Sequence, residues 1–362
     1  MIISGACTAL VVLVMFSLMF WHAIHLSKPR EQIKIMKICI LLPLYTVTSF
    51  LSICFPRAYT FLAPWLEVFQ AVALGSFFLL LCEFISKDSA TEIDIFFVAF
   101  EAPQKKGKSH ITGLEWFRKQ WIAIFQYPIV ALGVAITTDI TQAAGIYCLE
   151  SNEPYFAHLW LTIISIISVA FAVMSVLNFY RGLSQCLSGH KPLSKLLAFK
   201  LIVGLSFLER IIFAILRTAN TLNPTAKLSY ADVNIGIPNL IICLQMVPFA
   251  LFFPYAYSVS PYLSVDSYHP YHGGFLGVNA WIGLFNPMEI LRATAFAFGM
   301  AAELRKDGAI ERAGDTGYYA RQGHGGNPSL YVSPGQSHAR GPAQEFQGAY
   351  VPLLDKDGRG TF

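Results

Sequence analysis

The sequence predicts an all-α, polytopic membrane protein, a bundle of seven transmembrane helices with its N-terminus outside and its C-terminus in the cytosol. Three observations lead to this prediction. Seven apolar stretches, each near the ~20 residues that a helix needs to cross a bilayer, lie within residues 1–257. The composition is 55% apolar and 13% charged with a mean hydropathy of +0.52, which is atypical of soluble proteins. Lysine and arginine also collect in alternate connections between the stretches.

The predicted spans cover residues 3–25, 35–55, 61–85, 120–138, 158–180, 197–217 and 234–257. The first is too long for the apolar region of a signal peptide and lacks a small-residue cleavage site, so we expect it to be retained. The fourth is the weakest, because Gln126, Pro128 and two threonines interrupt it. The seventh contains three prolines, which kink or break a helix and free its backbone carbonyls.

The orientation follows from the charges in the connections. Twelve basic residues fall on one side: Lys28, Arg30, Lys34, Lys87, Lys105, Lys106, Lys108, Arg118, Lys119, Arg181, Lys191 and Lys195. The connections on the other side hold Arg57 and Lys227. Because basic residues are retained on the cytosolic face, the sequence places the N-terminus outside or in the lumen.

Beyond residue 257 the chain changes character twice. Residues 258–304 form a juxtamembrane segment in which apolar side chains recur at helical spacing over 277–304. Because Pro287, Glu289 and Arg292 interrupt that stretch, the pattern favours one interfacial helix over an eighth span. Residues 305–362 are rich in glycine, proline and charge, which predicts a disordered cytosolic tail.

Polar side chains inside spans are the candidate functional residues, because a charge at the centre of a bilayer costs ~2.5–3.5 kcal/mol on insertion scales. Glu67 and Gln70 share one face of the third span. Glu209 and Arg210 lie deep in the sixth span. Being adjacent, they point about 100° apart, so each is expected to pair with another helix.

We predict that Arg210 pairs with Glu67, and that Asn239 and Gln245 of the seventh span complete the polar set. Two interpretations of this set are equally open: a substrate pathway, or buried pairs that hold the helices together. Glu83 and Lys200 lie near cytosolic helix ends, and we expect both to extend to solvent.

The sequence does not indicate an enzyme, a metal site or a cofactor site, since it lacks the common hydrolase, metalloprotease and phosphate-loop motifs. His22 and His25 share a helix face, but a metal site needs a third ligand at that depth. The short basic run at Lys105 does not favour nucleic-acid binding. A disulfide between Cys54 and Cys148 is left open, with free thiols favoured.

A set of short segments follows in order along the chain: His25-Leu-Ser-Lys-Pro29-Arg-Glu-Gln32, Pro43-Leu-Tyr45, Glu67, Phe77-Phe78-Leu-Leu, Glu83, Gln126-Tyr-Pro128, Asn178-Phe-Tyr180-Arg, His190-Lys-Pro192-Leu, Phe199-Lys200-Leu, Asn239 through Pro248-Phe249, Tyr255-Ala-Tyr257-Ser, Tyr271-His-Gly273-Gly-Phe-Leu-Gly277 and Asn286-Pro287. In order and spacing, these segments resemble the organic solute transporter subunit alpha and transmembrane protein 184 family, in a fungal-type form. Glu209 stands where relatives often have Gln, and Gln245 where many have Glu.

The resemblance implies a facilitative carrier of amphipathic organic solutes, such as steroid conjugates or bile-acid-like anions, or a subunit of one. It also implies a small single-span partner or a homo-oligomer, in the plasma membrane or a vacuolar or other endomembrane. We expect the protein to contact that solute and membrane lipids. We expect no nucleic-acid partner. The alternative is a seven-helix receptor or a membrane scaffold in endomembrane organisation or signalling, which the long tail and the predicted topology would also suit.

Overall fold

The computed structural model describes residues 1–86, 96–102, 112–149, 153–184, 204, 212–213, 216, 229, 231–263 and 271–302. Over these residues the regular structure is helical. The helices are α1 (Ile2–Ile24), α2 (Pro29–Cys39), α3 (Leu41–Cys54), α4 (Tyr59–Ser86), α5 (Gly113–Ala143), α6 (Ala157–Leu183), α7 (Ile237–Ala256), the one-turn α8 (Ser260–Leu263), α9 (Val278–Phe285) and α10 (288–302). A π-helical segment, Asp232–Gly236, leads directly into α7.

The chain is a multi-pass membrane protein with six candidate spans among the described residues. They are Ile2–Ile24, Pro29–Cys54, Pro56–Ile85, Gly113–Ala143, Ala157–Leu183 and Asp232–Leu263. All six coincide with predicted spans, although most are longer than expected. The predicted span at 197–217 lies outside the described residues, apart from four isolated positions. Pro128 does not interrupt the fourth predicted span, since α5 runs through it.

Contacts divide the chain into two units. The first comprises Met1–Ile85 and Ala123–Ile290, and the second the described parts of Ser86–Ile122 and Leu291–Phe362. In the first unit α1, α3 and α7 pack closely together. Thr8 of α1 donates its hydroxyl to the Thr46 carbonyl of α3 at 3.2 Å, and its oxygen lies 4.0 Å from the Cys243 sulfur of α7.

The turn between α1 and α2 is organised by Gln32. Its Oε1 accepts hydrogen bonds from the backbone N–H groups of Ser27 and Lys28 at 2.9 and 2.8 Å. Its Nε2 donates to the carbonyl oxygen of His25 at 2.8 Å. One buried side chain therefore satisfies the end of α1 and the start of α2, where backbone groups lack helical partners. Pro29 at the first position of α2 fits the helix because its missing N–H would have no partner there.

The segment after α8 returns to this turn. The N–H of His272 donates to the Leu26 carbonyl at 2.9 Å. Gly277 has φ +75°, and a Cβ there would lie 2.6 Å from backbone atoms of Ala23, so a larger residue would not fit. Trp281 of α9 stacks on Phe16 of α1 with ring centroids 6.0 Å apart.

The predicted single helix over 277–304 is wrong in one respect. It is broken at Asn286, which is extended with ψ 113°, so that α9 ends at Phe285 and α10 begins at residue 288. Pro287 explains the break, because proline disfavours helical backbone in the residue before it. Asn286 then caps α10: its Oδ1 accepts the Met288 N–H at 2.9 Å.

The second unit has an aromatic core. Phe97 stacks on Phe117 at 4.2 Å between centroids, and the Trp121 indole donates to the Ala293 carbonyl of α10 at 2.9 Å. Gly113 is required at the start of α5, because a Cβ there would lie 2.2 Å from the Phe100 carbonyl oxygen.

The thiols of Cys54 and Cys148 are free, as the sequence favoured. The predicted tail, 305–362, lies outside the described residues.

Candidate functional site

Two of the predicted residues lie on α4 and bind different neighbours. The Ser165 hydroxyl of α6 donates to the Glu67 carboxylate. One turn further along, the Tyr45 hydroxyl of α3 donates to Gln70 Oε1 at 2.5 Å, and Gln70 is buried. The shared helix face predicted for Glu67 and Gln70 thus reaches two helices, with a polar contact to each.

A second polar contact continues from Ser165 along α6. Ser168, one turn away, donates its hydroxyl to Gln126 Oε1 of α5 at 2.8 Å, and Gln126 Nε2 donates to the Ser168 carbonyl at 2.9 Å. Both serines are buried on the face of α6 that meets the bundle. We call the side chains of Tyr45, Glu67, Gln70, Gln126, Ser165 and Ser168 the polar seam; they link α3, α4, α5 and α6.

An additional polar pair lies nearer the start of α4. The Trp65 indole donates to Asp139 Oδ2 of α5 at 3.0 Å, while Asp139 Oδ1 is buried without a hydrogen-bond donor. Sequence analysis placed Asp139 just beyond a span, whereas α5 continues to Ala143 and includes it.

The remaining predicted residues are Asn239, Gln245, Glu209 and Arg210. Asn239 is buried but donates to the Ile235 carbonyl of its own chain segment at 2.8 Å, satisfying backbone where Pro238 and the π-helical turn disturb the helical pattern. Gln245 is partly buried on α7. Glu209 and Arg210 lie outside the described residues, and the predicted Arg210–Glu67 pair lies there with them.

An aromatic layer follows the seam along α4. Phe78 of α4 meets Phe125 of α5 and Phe179 of α6 edge to face, with centroids 5.9 and 4.8 Å away. All three rings are fully buried. Because Phe125 directly precedes Gln126, the layer borders the seam on α5.

The charged end of the bundle was the main feature that sequence analysis missed. Lys34 and Lys37 of α2 are buried, and both reach Glu289 of α10: their Nζ atoms lie 3.0 and 3.3 Å from its carboxylate oxygens. Lys34 Nζ also lies 3.2 Å from Glu83 Oε2 of α4, and Arg30 Nη1 is 3.9 Å from Glu83 Oε1. We call Arg30, Lys34, Lys37, Glu83 and Glu289 the charge cluster.

Our expectation that Glu83 extends to solvent is therefore wrong. The sequence assigned Lys34 to a loop and Lys37 to a span, because α2 was expected to begin at 35 rather than at Pro29. Glu289 was the feature of the sequence that could have predicted the charge cluster, because a carboxylate in an apolar stretch needs a cationic partner.

The electrostatics of Glu289 follow from its two lysine partners. Burial by itself would raise the pKa of this carboxyl, since desolvation disfavours the charged form. The ammonium groups of Lys34 and Lys37 outweigh that effect, so the pKa lies below its ordinary value. Glu289 is therefore an anion at neutral pH.

The histidines considered as metal ligands have other roles. His22 is buried, with Nε2 2.9 Å from the Tyr257 carbonyl oxygen of the chain just after α7, and His25 stacks on Trp21. Across the described residues, no three His, Cys, Asp or Glu side chains are grouped as a metal ion would require.

Comparisons with known proteins agree with the membrane architecture. Residues 1–262 match the family described as organic solute transporter Ostalpha. The chain is 25% identical over 265 residues to a transmembrane protein 184 homolog of Dictyostelium discoideum, covering 70% of this chain and 51% of that protein. It is also 25% identical over 250 residues to the vacuole membrane protein hfl11 of Schizosaccharomyces pombe, covering 67% and 57%. The chain spans about half the length of these curated relatives, and no solved structure matches it significantly.

Proposed function

Because this chain belongs to the organic solute transporter Ostalpha family, we propose that it is a facilitative carrier of amphipathic organic solutes, or a subunit of such a carrier. The family is one of transporters rather than enzymes. Steroid conjugates and bile-acid-like anions are the proposed substrate class. Membrane lipids surround it, and a small single-span protein or a second copy of the chain is the proposed partner.

The polar seam is the observation that carries this proposal. Polar side chains in a lipid-facing bundle are costly, and they concentrate where substrates or ions cross. Here Glu67, Gln70 and Gln126 hydrogen-bond across four spans rather than within one. A carboxylate, amides and hydroxyls in one seam can exchange partners with the polar group of a passing solute, while the apolar spans accommodate its hydrocarbon part.

The proposed topology has seven spans, with the N-terminus outside and the C-terminus cytosolic. It adds the predicted span at 197–217 to the six candidate spans, and the distribution of basic residues supports the orientation. In this arrangement the charge cluster lies at the cytosolic side and the Trp65–Asp139 pair toward the opposite side. The α9–α10 segment would then lie at the cytosolic interface. The name of the vacuole membrane relative supports an endomembrane location, with the plasma membrane as the alternative.

The test is uptake of labelled steroid conjugates and amphipathic anions into proteoliposomes that contain the purified protein. Saturable uptake that falls at least tenfold in Glu67→Gln would support the carrier. The double variant Glu209→Ala, Arg210→Ala extends the same test to the predicted sixth span. Glu115→Gln is the matched control, since Glu115 pairs with Lys119 at an exposed position away from the seam. Uptake equal to that of protein-free vesicles would count against transport by this chain alone.

A receptor or membrane scaffold is the second candidate, because the names of the two relatives identify membrane proteins without naming a solute. Deleting residues 305–362 distinguishes the candidates. A scaffold or receptor that signals through its tail would lose function, whereas a carrier would keep its flux.

A further inference from the structure

Residues 286–290 enter the bundle at the end that carries the charge cluster. The Asn286 carbonyl accepts a hydrogen bond from Lys37 Nζ at 3.1 Å, three residues before Glu289 binds the same ammonium. Ile290 follows and is buried, with 4% of its surface accessible. With the contact of Lys34 Nζ to Glu289 at 3.0 Å, this short segment is held by α2 through three polar contacts, and it buries an apolar side chain at its end.

Gly75 of α4 makes room for that side chain. A Cβ at Gly75 would lie 3.3 Å from Ile290 Cδ1 and 3.2 Å from Phe125 Cε1, so both side chains would have to shift by a few tenths of an ångström to admit it. Ile290 consequently occupies the space where α4 and α5 approach each other, beside the aromatic layer of Phe78, Phe125 and Phe179.

This space lies about one and a half helical turns beyond the polar seam along α4. Gly75 is five residues from Gln70 along α4, a rise of about 8 Å, and Phe125 is adjacent to Gln126. A solute that leaves the seam toward the charged end of the bundle would meet the aromatic layer and Ile290 first. Further along α4, Cys82 lies two turns beyond Gly75 on nearly the same helix face and is also buried.

The charge cluster would still join α2 to α4 if this segment left. Lys34 has two carboxylate partners, and without Glu289 it would keep Glu83 at 3.2 Å. Glu83 also has Arg30 within 3.9 Å. Only Lys37 would lose its carboxylate, so release breaks one part of the network and leaves the link between α2 and α4 intact.

We propose that residues 286–290 are a plug that closes the seam at its charged end, with Glu289 as the bond that holds the plug and Ile290 as the side chain that fills the exit. Release of Glu289 from both Lys34 and Lys37 withdraws Ile290 from Gly75 and opens the exit past Cys82. The role in solute movement rests on the proposed carrier function, whereas the closure itself does not. The plug lies beyond residue 262, where the family match ends.

The closure is tested by alkylating the full-length protein with N-ethylmaleimide and measuring each thiol by peptide mass spectrometry. We expect Cys82 to react at least tenfold faster in Glu289→Gln than in the parent protein, and at the parental rate in Glu115→Gln. The double variant Lys37→Met, Glu289→Gln leaves no unpaired lysine, so it guards against misfolding and should show the same increase. Unchanged Cys82 reactivity in both Glu289 variants would overturn the plug.

The role in transport is tested by a reversible crosslink that ties α9, three residues before the plug, to α2. A Cβ on Gly283 of α9 would lie 3.2 and 3.4 Å from the two γ-carbons of Ile33 on α2, a spacing that suits a disulfide between cysteines at these positions. In Ile33→Cys, Gly283→Cys, oxidation should stop saturable uptake and dithiothreitol should restore it. Uptake that continues at full rate when crosslinked would overturn a moving plug. If the parent protein shows no uptake, the proposed function fails, and the Cys82 experiment still decides the closure.

Discussion

The Ser165 hydroxyl on α6 donates to the Glu67 carboxylate on α4, joining two membrane-spanning helices through a charged hydrogen bond. Hydrogen bonds to charged groups contribute more than neutral ones, about 1.5–3 kcal/mol. The Glu67 carboxylate is consequently a structural link between two helices, and under the proposed function it is also the group that would bind the polar part of a solute.

Removing the Ser165 hydroxyl should weaken this link without unfolding the protein. We expect Ser165→Ala to lower saturable uptake several-fold and Glu67→Gln to lower it by tenfold or more, because the glutamine keeps the volume and loses the charge. Ser17→Ala is the matched control, since Ser17 bonds only to the Leu13 carbonyl of its own helix turn at an exposed position. Equal uptake by all three variants would remove Glu67 from the pathway.

The Gln32 side chain should be important for stability. Gln32→Ala deletes hydrogen bonds to Ser27, Lys28 and His25 in a buried site, and we expect a loss of roughly 2–3 kcal/mol in the free energy of unfolding. Gln32→Glu keeps the oxygen that accepts from Ser27 and Lys28 but loses the amide that donates to His25. The stability that it retains therefore measures the contribution of the accepted hydrogen bonds. Thermal unfolding in detergent micelles measures both, and an unchanged midpoint in Gln32→Ala would contradict the capping role.

Sequence analysis predicted six spans that the structure describes, because bilayer-length apolar stretches depend only on local composition. It could not predict the pairing of Lys34 and Lys37 with Glu289, since some 250 residues separate them along the chain. It also began the second span at residue 35, which left Lys34 in a loop, whereas the structure buries both Lys34 and Lys37 beside Glu289 and Glu83.

The polar seam was likewise predicted only in part from the sequence. The shared face of Glu67 and Gln70 followed from their spacing, but Ser165, Ser168 and Tyr45 were not singled out. Hydroxyl residues are common in spans and satisfy themselves on their own helix, so sequence does not reveal which of them bond to a neighbouring helix.

The charge of Glu289 should make stability depend on pH in a defined direction. Its pKa is lower in the folded protein than in the unfolded chain, where it lies near ~4.3. The folded state therefore binds fewer protons, so this contribution is complete above pH ~4.3 and is lost as pH falls through the lower, folded pKa. The parent protein should lose more stability than Glu289→Gln when thermal unfolding is followed from pH 7 into that acidic range.

The control for this titration is Glu115→Gln, which removes an exposed carboxylate paired with Lys119. Its midpoints should follow those of the parent protein at every pH. A parent curve that runs parallel to that of Glu289→Gln throughout would show that the lysine contacts do not lower the pKa.

Gly277 should tolerate no side chain. Gly277→Ala combines a left-handed backbone at φ +75° with a Cβ that would lie 2.6 Å from the backbone of Ala23. We expect it to separate α9 from α1 and to expose Trp281, visible as a red shift and greater quenching of tryptophan fluorescence. Gly299→Ala, with no atom within 4 Å of its Cβ position, should leave the spectrum unchanged.

Gly75 provides the most direct test of how closely Ile290 fits against α4. Gly75→Leu places a branched side chain where Ile290 Cδ1 and Phe125 Cε1 already lie 3.3 and 3.2 Å from the Cβ position, and overfilling of this kind costs about 1–3 kcal/mol. The first group to yield should be the plug, because Phe125 belongs to a continuous span whereas Ile290 follows the break at Pro287. Faster alkylation of Cys82 would report that displacement.

Gly133→Leu is the control, because it gives the same gain in helix propensity at an outward position with no atom within 4 Å of the Cβ position. Cys82 in this variant should react at the parental rate. Equal rates in the two variants would mean that Ile290 remains in place when Gly75 is enlarged, and that Phe125 moves instead.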